Sequence, residues 1–266
     1  MVQSDAVSES PAPPSACADT LEVATLAPAS APLVSWRDRL QSLLEVILVT
    51  GVLTQLLVAG AMLATGLPFR AADGSLNLLA VALPTLVDTG VSLLLVSLFL
   101  RARGEAPRGV LLGQRRATGE ALVGVALTPL VFLVVAALSG LVQALLPWLH
   151  DVPDNPLADL MKTPWSAAVM GVIAVVGGGV REEVQRGFIL HRFEQHLGGR
   201  IVGLVLFSVL FGLGHAEVQG WDAAIYTGTL GLIWGATYFL RGSVVAPMVS
   251  HAIFNGLQVA WQFAWA

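Results

Sequence analysis

From Ala121 to Leu149 the chain runs 29 residues without an ionisable side chain. About 20 apolar residues wound as a helix cross the hydrocarbon core of a bilayer, so this stretch alone points to a membrane. Similar apolar runs recur at about Leu43–Leu67, Leu76–Leu100, Ile201–His215, Ala223–Leu240 and Val244–Trp265. Charged residues make up 12% of the sequence, roughly half the usual share, and mean hydropathy is +0.75. The expected fold is therefore all-α: a polytopic integral membrane bundle of about seven helices, eight if the long third run divides.

Residues 1–35 are rich in Ala, Ser, Pro and acid, the composition of a disordered tail. The lone Cys17 lies there with no apolar run before it, which speaks against a signal peptide, and one cysteine forms no internal disulfide. Trp36-Arg37-Asp38-Arg39 reads as an interfacial anchor. We divide the remainder into N-terminal transmembrane helices over 36–159 and a polar-motif core over 160–266. Arginines gather in the loop 101–116, at the 192–200 turn and at Arg241, whereas Asp151, Asp154 and Asp159 mark the other side. The positive-inside rule then predicts an inner or plasma membrane protein with a cytoplasmic N-terminus and an external C-terminus. Membrane lipids are the partners this composition implies, and no basic patch suggests nucleic acid.

One segment breaks the apolar pattern. Val180-Arg181-Glu182-Glu183-Val184-Gln185-Arg186-Gly187 follows fifteen residues without charge, from Trp165 to Gly179. Ions at membrane depth are costly and mark a functional site by default. We read the fourth helix as running from Pro164 through this motif to His196, stopped by Leu197-Gly198-Gly199. Glu182 then lies about 15 residues before the turn and His215 about 15 after it. At a rise of about 1.5 Å per residue, both sit at one depth, roughly 22 Å from that turn. On the last run His251 and Asn255, four apart, share a helix face. His191 and His196 read as an interfacial face, and Asp88 as a helix–helix hydrogen bond. Gly228, Gly231 and Gly235 form a small-residue stripe for close packing. Gly177-Gly178-Gly179 lets another helix approach or lets its own helix distort.

The acidic pair followed by Arg-Gly, then Phe211-x-x-x-His215, then His251-x-x-x-Asn255, resembles the CPBP intramembrane proteases, the type II CAAX prenyl endopeptidase and bacteriocin-processing group. The resemblance covers about residues 160–260. It implies Glu182 as general base, with His215, His251 and Asn255 completing the site, and it includes Glu183 and Arg186. The family pattern places its Arg five residues beyond the first Glu; here Arg186 is four beyond Glu182. Anchoring on Arg186-Gly187 instead puts Arg181 and Glu182 in the acidic positions, so Glu182 is retained in either register.

These residue types support two chemistries. A buried carboxylate can activate water while His and Asn donors hold an oxyanion. Alternatively, two imidazoles and a carboxylate hold a divalent metal such as zinc. No His-Glu-x-x-His and no Gly-x-Ser-x-Gly motif occurs, and Ser139 and Ser208 lack a serine-enzyme setting. The expected function is an intramembrane endopeptidase working on a protein or peptide substrate at a water-filled cavity open to the cytoplasm. The competing class is a proton-coupled carrier or a non-catalytic immunity-type membrane protein using the same cluster. A carrier would favour two matched halves, and the sequence contains none.

Overall fold

The computed structural model describes residues 34–70, 74, 76–152 and 157–265, so the tail expected over 1–35 lies almost wholly outside the described residues. Among them the chain is helical. The helices are α1 Trp36–Val49, α2 Val52–Thr65, α3 Leu78–Ala102, α4 Pro107–Leu111, α5 Ala117–Leu145, α6 Pro164–Ile173, α7 Glu183–His196, α8 Arg200–Gln219, α9 Trp221–Arg241 and α10 Val245–Trp265. A π-helical segment, Ala174–Glu182, joins α6 to α7 without interruption.

Five of these runs are long and apolar enough to cross a membrane: 36–65, 78–102, 117–145, 200–219 and 221–241. Two more lie beside them, 164–196 and 245–265, and are less apolar because they carry the charged motif and His251, Asn255, Gln258 and Gln262. The long third run is one helix despite Pro129, so it supplies no eighth span. Leucines such as Leu122, Leu133 and Leu240 stay exposed on the outer faces, as lipid contact requires.

Local chemistry sets the ends. Ser35 caps α1 by accepting from the Asp38 amide at 3.2 Å, and Asn77 caps α3 in the same way. Thr163 and Ser166 form a capping box with Pro164 at the first turn of α6. The first run is broken at Gly51, whose φ of 81° favours glycine. A methyl group there would also strike the Asp88 carboxylate and the Arg181 guanidinium, so the break makes room for that ion pair. Between the apolar runs that end at His215 and begin at Ala223, Glu217 and Asp222 are also helical. Only Gly220 separates α8 from α9, and His215 lies within α8 rather than closing it.

Close packing follows the small residues. Gly212 meets Ala224 and Gly228, and Gly231 meets Ser208, along the α8–α9 seam. Gly124 of α5 lies under Ala246 and Val249 of α10. The largest apolar core gathers around α7, where Phe188, Ile189 and Leu190 pack on Val46 and Val49, Val96 and Leu100, and Tyr238.

The arginine-rich pole is held by ions rather than apolar packing. Arg192 is fully buried and reaches Glu45 and Glu105 at 2.6 Å each, while Arg103 meets Glu45 at 2.9 Å. Burial pushes the Glu105 carboxyl up, but hydrogen bonds from Gln195 and Arg192 and the Arg192 charge outweigh it and hold it below the usual range. His191 meets the same carboxylate at 3.2 Å, and His196 meets Ser42 at 3.1 Å. The structure adds specific partners to this histidine pair, read from sequence as an interfacial face. Their partners are polar groups on α1 and in the 103–105 turn, which the sequence separates from them by some 85 residues or more.

Candidate active site

Three consecutive ionisable residues leave the π-helical turn toward three different surroundings. Arg181 points to α3, pairing with Asp88 and donating to the Thr50 carbonyl at 3.2 Å. Glu183 points into the protein and is 1% exposed at the side chain; Glu182 keeps 19%. A π turn widens the helix by one residue, so neighbours fan out differently than on an α-helix. The three glycines contribute by letting partners approach. Gly177 faces Thr85, Gly179 lies against Ala252, and Gly178 lies under Asn255 and His251. Both expectations for this triplet, close approach and distortion, are met by the one segment.

Glu183 is held from two sides. It pairs with Arg186 one turn on and accepts a hydrogen bond from His251 Nδ1 at 2.8 Å. A carboxylate accepts, so Nδ1 carries the proton and Nε2 faces Glu182, 3.9 Å from its Oε2. The imidazole stacks on Trp234 with centroids 3.8 Å apart and planes 17° apart, and Trp234 is in turn held by Ser250 at 3.2 Å. Arg186 lies among Phe207, Phe211 and Trp234, its guanidinium 4.7 Å from the Phe211 ring centre. Its Nε and Nη2 have no hydrogen-bond partner, so aromatic faces complete the shell of that cation.

Glu182, His215, His251 and Asn255 line one cavity of about 1200 Å³. His215 Nδ1 bonds the Phe211 carbonyl at 2.8 Å. A carbonyl only accepts, so in the neutral ring Nε2 is left with its lone pair. Asn255 Nδ2 donates to the Ala174 carbonyl at 3.2 Å. A methyl group on Gly178 would strike the Asn255 amide and crowd His251 Nε2, so Gly178→Ala is expected to disorder this corner. We expect it to lower cleavage at least tenfold with little loss of melting temperature, as a displacement of about 1 Å from reacting geometry costs that much or more.

The charges nearly balance. Three carboxyl groups, Asp88, Glu182 and Glu183, stand against two guanidiniums, Arg181 and Arg186. Buried ions tolerate such a site only when compensated. The metal alternative fits less well: among the described residues no three His, Cys, Asp or Glu groups converge to hold an ion.

The direction of the cavity sets two of the expectations against each other. Its lining on each helix comes from the half next to the acidic loops: residues 170–182 of the fourth run, 81–88 of α3, 211–219 of α8 and 251–264 of α10. Glu183, Arg186 and Phe188 close it toward the arginine pole. An opening on the cytoplasmic side and a cytoplasmic arginine pole therefore exclude one another. The sequence reading did not single out Gly178 or Trp234 as site groups, nor Arg181 as the partner of Asp88. Their spacing along the chain carries no signal for a shared site.

Fold and cluster together define a polytopic helical membrane protein with a Glu–His–Asn cluster lining the foot of a cavity. Residues 164–257 match the family described as type II CAAX prenyl endopeptidase Rce1-like. This window opens at the first residue of α6 and closes just past Asn255, so it contains all six residues singled out by sequence. No curated protein and no solved structure matches the chain.

Proposed function

We propose that the protein is an intramembrane endopeptidase of the CAAX prenyl endopeptidase type. One observation carries this reading: Glu182, His215, His251 and Asn255, drawn from three separate helical runs, face a single cavity, while Glu183 and Arg186 lie beneath its floor.

In the proposed reaction Glu182 takes a proton from water, and the resulting hydroxide attacks the scissile carbonyl carbon. His215, with its Nε2 lone pair, orients the same water by accepting its second proton in a hydrogen bond. His251 and the remaining N–H of Asn255 stabilise the oxyanion. Glu182 then returns its proton to the leaving amine, and the C–N bond breaks. Glu183 and Trp234 fix the His251 ring, and Arg186 holds Glu183 in its ionised state. Purified protein in lipid nanodiscs is expected to cut members of a peptide library, with product masses locating the bond. A library of broad sequence coverage, with and without lipidated members, left intact by folded protein would overturn the reading.

A further inference from the structure

Each wall of the cavity runs from the cluster to the pole that bears the acidic loops. Leu157 and Met161 come from the loop before α6, Gln219 ends α8, and Ala223 begins α9. Toward the other pole the floor is closed by the fully buried Glu183–Arg186 pair and the apolar core around Phe188.

A polar path follows the same direction. On α10, His251, Asn255, Gln258 and Gln262 recur at intervals of four, three and four, one helical face, and all four line the cavity. Gln219 and Tyr226 face it from the opposite wall. From His251 to Gln262 is 11 residues, or roughly 16 Å, the length of about five extended peptide residues. Side-chain amides both donate and accept, which suits the alternating N–H and C=O groups of an extended backbone. Among the described residues that line the upper part of the path none is charged, so these residues do not select a charged segment.

Most of the arginines lie at the closed end, although Arg70 is in the loop between α2 and α3 at the other. Arg101, Arg103, Arg192, Arg200 and Arg241 all belong to loops or helix ends at that pole. Positive charge is retained on the cytoplasmic side of a membrane.

We infer that the site opens to the non-cytoplasmic face. Its substrate is an extended, uncharged peptide segment presented there, bound along the Asn255–Gln258–Gln262 row. This rests on the endopeptidase reading for the word substrate, but the direction of the opening does not.

The test uses the full chain with Cys17→Ser, which removes its one cysteine, carrying either Gln262→Cys at the mouth or Arg200→Cys at the opposite turn. A membrane-impermeant maleimide is applied to intact spheroplasts and to lysed ones. Position 262 is expected to label in intact cells and position 200 only after lysis. Labelling at 200 in intact cells, with 262 labelled only after lysis, overturns the inference. So does a position 262 that stays unlabelled in both. Labelling needs no cleavage, so a failed endopeptidase reading leaves this result standing. With a cleaved peptide in hand, Gln258→Leu combined with Gln262→Leu is expected to raise KM roughly tenfold, the effect of two lost hydrogen bonds, while kcat holds. An unchanged KM would reject the glutamine row as the binding path.

Discussion

Glu182→Gln is expected to lower the cleavage rate by about two to four orders of magnitude, the usual contribution of a general base, while the melting temperature in detergent stays near that of the parent. The carboxylate faces the cavity, retains 19% exposure, and has no closer charged partner than 3.9 Å. An amide of the same shape therefore removes the base without exposing a buried ion. Glu183→Gln is expected to differ in kind. That carboxylate is buried against Arg186 and His251, so its loss should depress melting temperature and activity together. Measuring initial rate beside melting temperature for both variants separates the two acids. Full activity in Glu182→Gln with an unchanged melt would remove the general-base role, and the carrier or immunity-type reading would then lead.

Arg186→Met is expected to destabilise the fold by about 3–5 kcal/mol, the range for removing one partner of a buried ion pair. At the scale of this domain that is a drop of about 10 °C in melting temperature. The side chain of Arg186 is 1% exposed and pairs with a carboxylate that is equally buried. Methionine would fill the aromatic surroundings of Phe207, Phe211 and Trp234 but leave Glu183 without its cation. The double variant with Glu183→Gln is expected to recover most of the loss, because it leaves no uncompensated ion. An Arg186→Met protein as stable as its parent would mean that Glu183 is already neutral and that the charge count for the cluster is wrong.

The fourth run shows how far the sequence could be read. Its start at Pro164, its passage through the charged motif and its end at His196 all follow from capping chemistry and from the stop at Leu197-Gly198-Gly199. Equal spacing about that turn also led to Glu182 and His215 sharing a cavity, as they do. Arg192, on the same run, was legible only as one more positive charge near the membrane surface. Its burial against Glu45 and Glu105 depends on α1 and on the turn before α4, far away in the chain. The one-residue departure of Arg186 from the family spacing likewise had no resolution in one dimension. In the structure Arg186 pairs with Glu183 at i,i+3 and leaves Glu182 to the cavity.

The sequence by itself determined that this chain is a membrane helix bundle, because apolar runs of such length cannot be solvated and a helix satisfies its own peptide groups. It also singled out the candidate site residues, because ions and imidazoles are costly at that depth. Only the tertiary structure decided which acid is free and which is held, and at which pole the cavity opens. Burial and pairing are properties of neighbours, and here those neighbours, Asp88, Trp234, His251 and the glutamines of α10, come from helices whose separation in sequence says nothing of their distance in space.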